Sequence, residues 1–121
     1  MPVEFHITAE MDDDFRRRAT VREDAARPKA VAALRALEKM GCRAWVVGSL
    51  AAGTFTVESD VDYIVDCERD REHDVFLTIE EKMGDFPFDL VFCRWFEEDA
   101  MAVLMENAKN ASELVKCETS S

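Results

Sequence analysis

Three aspartates are the residues of this 121-residue chain whose types and spacing most directly suggest chemistry. Asp60 and Asp62 are separated by one residue and open the strand-like run Asp-Val-Asp-Tyr-Ile-Val. Because side chains alternate along a β-strand, both carboxylates are expected on the same face, where one divalent cation would contact both. The spacing therefore predicts a metal-binding pair.

Asp89 adds a third carboxylate to this pair. It lies between Phe88 and Leu90 in a strongly apolar run, where a charge is costly unless it is coordinated or hydrogen-bonded. If its strand lies beside that of Asp60 and Asp62, three carboxylates converge, which suits Mg²⁺ when nucleotide phosphates supply the remaining ligands. The alternative is a structural role, in which Asp89 bonds to the backbone of a neighbouring strand.

A small, hydroxyl-bearing turn precedes the aspartates. The apolar run 44–47 leads into Gly48-Ser49, and ten residues separate Ser49 from Asp60. Such a turn after a buried strand allows a triphosphate to approach the backbone closely. The turn and the three acids together predict a magnesium–nucleotide site. Two ions about 3.5–4 Å apart would activate an attacking oxygen there and stabilise the departing pyrophosphate.

Helices and strands alternate along the middle of the chain, which predicts an α/β fold. Strands are expected at 43–47, 61–65 and 88–92. A helical turn is expected over Leu50 to Ala52, closed by Gly53. A helix from Arg71 to Met83 is expected to stop at Gly84.

The amino-terminal region is highly charged. From Thr8 to about Arg22, three aspartates at 12–14 stand four residues ahead of three arginines at 16–18, an order that favours a helix. A solvated helix face is the simpler interpretation of the arginines, and polyphosphate binding is the alternative. A second helix is expected to begin at Pro28 and to end at Gly41, because proline suits a first helical position.

A last helix is expected from about Glu97 to Asn107, and its methionines leave core packing and a docking face open as alternatives. The polar tail after Val115 is expected to fray. At this length we expect one domain, residues 1–121. It would comprise a charged N-terminal helix within 1–24, a catalytic core over 28–92 and a C-terminal helix within 96–115.

Composition argues against several classes of function. With 15 Lys and Arg against 26 Asp and Glu, the formal net charge is −11, so the surface lacks the basic footprint of a nucleic-acid-binding protein. No run reaches the roughly 18 apolar residues of a membrane span, and no secretory signal pattern is present, which favours the cytoplasm. The four cysteines have no CxxC spacing and are expected to be reduced thiols.

The turn and the acids together follow the pattern of a known family. The pattern begins with Val47-Gly48-Ser49, continues after ten residues with Asp-x-Asp in an apolar strand at 60–65, and ends with a third acid in a later strand at 88–91. It resembles the pattern of the minimal nucleotidyltransferases (MNT) of the polymerase beta-like superfamily. The resemblance is to the small MNT antitoxins encoded beside HEPN-domain partners, and it covers roughly residues 28–92. It implies the polymerase beta-like nucleotidyltransferase fold, a short mixed sheet of three or more strands packed against helices.

The resemblance also implies an activity, the transfer of a nucleoside monophosphate from ATP or another nucleoside triphosphate to a hydroxyl acceptor with two Mg²⁺ ions. AMP is the expected group. By matching position, Gly48 and Ser49 would hold the β- and γ-phosphates, and Asp60 and Asp62 would bind the metals. Asp89 would bind the metal nearest the acceptor and help to remove its proton. The implied partner is a HEPN-type toxin protein, and homo-oligomers stay open.

One position departs from the pattern. Many relatives carry an arginine shortly after the Gly-Ser turn, whereas Leu50-Ala51-Ala52 follows here. Nucleotide affinity is therefore expected to be low unless Arg43, Arg94 or the N-terminal arginines reach the site. An antitoxin enzyme and a catalytically inactive module that neutralises its partner by contact both stay open. An antibiotic-modifying nucleotidyltransferase ranks third, because such enzymes generally need additional chain to hold the acceptor.

Overall fold

The computed structural model describes residues 9–119 of the chain. Its elements follow in the order α1 (Ala9–Lys39), β1 (Arg43–Val47), α2 (Gly48–Ala52), β2 (Val61–Asp66), α3 (Glu72–Met83), β3 (Phe88–Phe92), α4 (Glu98–Leu104) and α5 (Ala111–Thr119). Short 3₁₀ turns over Arg69–Arg71 and Cys93–Trp95 precede α3 and follow β3. The three strands, the turn of helix after β1 and the helix ending at Met83 confirm the corresponding predictions.

The sheet has three strands in the order β1-β2-β3, and β2 lies in the centre. β1 pairs with β2 in antiparallel fashion, and β2 pairs with β3 in parallel. A short mixed sheet packed against helices is what the resemblance implied, so the α/β fold class is confirmed.

The hydrophobic core lies between one face of this sheet and the helices α1 and α3. Tyr63 is buried there and packs edge-on against Phe88, with ring centroids 6.0 Å apart. Its hydroxyl donates a hydrogen bond to Met83 Sδ at 2.9 Å, which satisfies the polar end of the ring. The helices contribute fully buried side chains to the same cluster: Leu34, Leu37, Val75, Ile79 and Met83.

The prediction of two amino-terminal helices was wrong, because α1 is one helix of 31 residues with Pro28 inside it. Proline in a helix interior removes a hydrogen bond and costs about 3 kcal/mol. The buried side chains of Ala26, Ala30 and Ala33 continue on both sides of Pro28, whose own side chain is exposed. Burial of this stripe offsets the cost. Thr8, the predicted start, lies outside the described residues.

The helix predicted from about Glu97 to Asn107 corresponds to α4 and is confirmed. The single C-terminal helix assigned within 96–115 was wrong, because two helices, α4 and α5, occupy this region. Between them, Lys109 pairs with Val46 of β1 through two backbone hydrogen bonds of 2.9 Å each. Asn110 and Glu113 then form a reciprocal capping box, in which the Glu113 N–H donates to Asn110 Oδ1 at 2.9 Å. This cap starts α5, which continues to Thr119 beyond the predicted fraying point.

Every helix within the described range is too short or too polar to traverse a lipid bilayer. Cys42, Cys67 and Cys93 are free thiols.

The core makes a matched stability test possible. Leu34 in α1 is 0% exposed and Leu77 in α3 is 46% exposed. We expect Leu34→Ala to lower the free energy of unfolding by about 2–5 kcal/mol, because it removes buried apolar surface and leaves a cavity. Leu77→Ala should cost less than about 1 kcal/mol. Urea unfolding measures both, and equal losses would contradict the described position of α1.

Candidate functional site

Two of the three predicted carboxylates meet across neighbouring strands. Asp62 of β2 is the register partner of Asp89 of β3, so their side chains lie side by side on the same face of the sheet. Burial raises the pKa of Asp62, and the charges of Asp89 and then Asp60 raise it further. The parallel pairing of β2 and β3 therefore concentrates negative charge at one place on the sheet.

Asp60 lies just before β2, at the end of the loop that follows α2. Its side chain is 43% exposed, and its Oδ1 lies 4.0 Å from Nη2 of Arg22 on α1. Its charge acts on Asp62, so the three acids are near neighbours. An arginine of α1 therefore reaches one of the three acids.

The Gly48-Ser49 turn directly adjoins this acidic group. Val47, the last residue of β1, is the register partner of Asp62, so the chain leaves the sheet beside that carboxylate. Gly48 has φ 73°, a left-handed conformation that favours glycine. A Cβ at this position would lie 2.4 Å from Asp62 Oδ2. This position therefore requires glycine for two reasons: its φ is positive, and a side chain here would collide with the Asp62 carboxylate.

A cavity of about 440 Å³ opens beside the carboxylates. Asp62, Asp89 and Gly48 line one part of it, and Glu106 and Asn107 line another. Apolar side chains form most of the remaining wall: Val47, Ala52, Ile64, Val91, Val103 and Leu104. This volume is in the range of small-molecule binding sites.

Helix α4 contributes to this cavity rather than to the core. None of its residues is buried, and Val103 is 71% exposed. Of the two alternatives that the sequence left open for this helix, core packing is therefore wrong.

The donor chemistry of the site fits Mg²⁺. Among the residues that the structure describes, no three His, Cys, Asp or Glu side chains are grouped so as to hold a metal ion by themselves. Magnesium commonly takes only one or two carboxylates and completes its octahedral shell with waters and substrate phosphates. Asp62 and Asp89 offer oxygens whose mutual repulsion a cation would relieve, and Asp60 stands next to them.

Arg43 and Arg94, two candidates to replace the arginine that is missing after the Gly48-Ser49 turn, lie away from this turn. Arg43 begins β1 and lies near Asp66, at the end of the ladder opposite to Val47 and Asp62. Arg94 follows β3 at that same end and forms a two-pronged ion pair with Glu72, one contact of which is 2.7 Å. Neither arginine therefore serves the Gly48-Ser49 turn.

Sequence patterns missed Arg22, which reaches the loop before Asp60 from a distant helix. The missed wall residues Val103 and Leu104 belong to α4. For α4 the sequence does contain a signal, because the Asn110–Glu113 capping box marks where α5 begins and thus where α4 must already have ended. For Arg22, the sequence offers no local signal, since Arg22 lies 38 positions before Asp60.

Residues 27–115 match the family model described as a nucleotidyltransferase domain. No curated protein matches the chain. The matched region contains the turn and all three aspartates, whereas Arg22 lies outside it.

Alanine at two glycines should separate backbone strain from displacement of Asp62. Gly48 and Gly53 both have positive φ, 73° and 78°, so either substitution should cost about 1–2 kcal/mol in urea unfolding. A Cβ at Gly53 meets nothing within 4 Å, whereas one at Gly48 would collide with Asp62. We expect only Gly48→Ala to lose Mn²⁺ affinity, by about tenfold or more, in calorimetry. Equal affinities in the two variants would contradict this role of Gly48.

The raised pKa of Asp62 gives a pH-dependent prediction. The pKa of Asp62 is higher in the folded protein than its ordinary value of 3.8. Asp62 therefore favours folding most at pH values below 3.8, where its carboxyl is protonated. This favourable contribution is lost as the pH rises through the raised value. In metal-free buffer, Asp62→Asn should therefore stabilise the protein near neutral pH, by roughly 1 kcal/mol because solvent screens a partly exposed group.

Urea unfolding of wild type and Asp62→Asn in EDTA, from about pH 4 to about pH 8, tests this sign. The advantage of the variant should grow as the pH rises. A difference that stays constant or shrinks with rising pH would contradict the repulsion inferred at Asp62.

Proposed function

Since the chain belongs to the nucleotidyltransferase domain family, we propose that it transfers a nucleoside monophosphate, AMP in the first instance, from ATP to a hydroxyl group. Proteins of this family typically use Mg²⁺ and a nucleoside triphosphate. The observation that carries the proposal is the pairing of Asp62 with Asp89 beside the Gly48-Ser49 turn. Acidic metal ligands and a phosphate-binding turn are the two parts that the reaction requires.

Each residue of the site has a role in this proposal. Gly48 and Ser49 hold the β- and γ-phosphates through backbone N–H groups and the Ser49 hydroxyl. Asp60, Asp62 and Asp89 would hold Mg²⁺ together with waters and the substrate phosphates, and the bound ion would neutralise charge on those phosphates. Val91, Val103 and Leu104 line the cavity beside Asp89 and offer apolar contact area to a bound substrate.

In the transfer step, the acceptor hydroxyl oxygen forms a bond to the α-phosphorus of ATP. The bond from that phosphorus to the oxygen bridging to the β-phosphate breaks, and pyrophosphate leaves. Asp89 accepts the hydroxyl proton, because it is the most exposed of the paired carboxylates and borders the cavity. Gly48 has no side chain, which leaves room for the Asp62 carboxylate beside the turn.

The acceptor in this proposal is a hydroxyl of a HEPN-type toxin encoded nearby, and the chain is its antitoxin. The net charge of −11 favours association with a basic partner. The exposed apolar side chains of Trp95, Phe96 and Val103 lie close together in sequence, between β3 and the end of α4, and offer contact area for a protein acceptor.

The experiment incubates the protein with the product of its neighbouring gene, Mg²⁺ and ATP labelled on the α-phosphate. We expect label on the partner, reduced by about 100-fold or more in Asp62→Asn and Asp89→Asn, because each removes a carboxylate that would hold the Mg²⁺ neutralising charge on the phosphates. Asp66→Asn is the matched control, since Asp66 lies at the opposite end of β2 and is exposed. An active Asp62→Asn variant would overturn the assignment.

A second function, neutralisation of the partner by contact alone, is favoured by one observation. Arg43 and Arg94 lie near Asp66 and Glu72 away from the turn, so neither replaces the arginine absent from Leu50-Ala51-Ala52. Stoichiometric inhibition of the partner without transfer of label would support this function. Inhibition that requires ATP and Mg²⁺ would support the enzyme.

A further inference from the structure

Arg22 links helix α1 to the loop that carries Asp60. Its Nε and Nη2 groups both donate hydrogen bonds to the backbone oxygen of Ser59, at 3.1 and 2.9 Å. The same Nη2 lies 4.0 Å from Asp60 Oδ1. One side chain therefore contacts both the residue before Asp60 and Asp60 itself.

The Arg22 side chain is itself held in place. Its guanidinium lies 4.5 Å from the centre of the Phe86 ring, a cation–π contact. Phe86 in turn stacks on Phe55, with ring centroids 6.2 Å apart, and Phe55 is buried in the core. Only 27% of the Arg22 side chain is exposed. A long, flexible side chain is thus fixed in one conformation.

The loop's own hydrogen bonds are local. The Thr56 N–H donates to Ser59 Oγ at 2.9 Å, and the Ser59 N–H donates to the Thr56 oxygen at 3.2 Å. These bonds close a small turn but join it to no other element. The bonds from Arg22 join this turn to α1.

Geometry indicates which of the two Arg22 contacts matters more. An ion pair of 4.0 Å between partly exposed groups is weak and screened by solvent. Two charged N–H donors on one carbonyl at 2.9 and 3.1 Å make a stronger, directional interaction. Arg22 therefore acts chiefly on the backbone rather than as a counter-charge for Asp60.

We propose that Arg22 is a positioning residue, which fixes the backbone at Ser59 and thereby sets the place of Asp60 beside Asp62. The metal-binding role of Asp60 in this inference rests on the proposed function. Arg22 lies before the region that matches the nucleotidyltransferase family, residues 27–115, so the amino-terminal part of α1 supplies the support.

Amide hydrogen exchange tests the support independently of metal and activity. We compare wild type, Arg22→Ala, Arg22→Lys and Arg18→Ala, the last being an arginine one helical turn away that pairs with Asp14 instead. In Arg22→Ala, the amides of residues 57–60 should exchange about tenfold faster or more, while the hydrogen-bonded amides of α3 stay unchanged. Arg22→Lys keeps the charge and a donor and should restore part of the protection. Unchanged exchange at 57–60 in Arg22→Ala would overturn the proposal.

Mn²⁺ binding separates positioning from charge neutralisation, because the two roles predict opposite signs. Loss of a support should weaken Mn²⁺ binding in Arg22→Ala, by about tenfold, as for other residues that orient metal ligands. Loss of a competing cation should strengthen it. A gain in Mn²⁺ affinity would overturn the proposal, and Arg18→Ala should bind as wild type does.

Kinetics of nucleotidyl transfer add a third readout. Arg22→Ala should lower kcat, with a smaller change in the KM for ATP, because a misplaced Asp60 weakens transition-state stabilisation. A raised KM with unchanged kcat would indicate direct contact with the triphosphate and overturn the positioning role. If wild type transfers no nucleotide, the proposed function fails, and the exchange result still decides the role of Arg22.

Discussion

The register of β3 against β2 is the constraint on which the candidate site depends. It places Asp89 opposite Asp62, where burial and the neighbouring negative charge raise the pKa of Asp62. The opposite face of the same strands offsets this cost, since Val61, Tyr63 and Val65 are buried against the helices. A slip of one residue would turn Asp89 toward the core and expose its apolar neighbours. Core packing therefore holds the acidic pair together.

Because side chains alternate along each strand, the two faces of the sheet differ in composition. One face, with the helices α1 and α3, is a conventional apolar core. The other carries Asp62 and Asp89 and, with Ile64 and Val91, borders the cavity that α4 partly closes. Gly48 lies where β1 leaves this second face, and its missing side chain leaves room for the Asp62 carboxylate. Apolar walls beside a charged centre strengthen electrostatic interactions with a bound ligand, because the ligand and the walls together displace water.

Local sequence signals predicted the strands well and the ends of the helices less well. The strands 43–47 and 88–92 follow directly from short apolar runs bounded by polar residues and glycine, and glycine also marks the end of α3. Pro28 misled the prediction of α1, because the proline signal is local whereas burial on both sides of it is tertiary. Near the C-terminus, periodicity predicted α4 but not α5, and the pairing between Lys109 and Val46 lies between these two helices.

The sequence by itself determined the acids, the turn between β1 and α2, and the strand alternation, because each depends on residue type and short-range spacing. From these it also predicted that Asp60, Asp62 and Asp89 would gather, conditional on which strands are neighbours. Only the tertiary structure shows that β2 and β3 are neighbours and that their register places Asp89 beside Asp62. It also decided which arginine reaches the acids, since Arg22 does so from a helix distant in sequence. Contacts between distant segments depend on packing, and local patterns do not encode them.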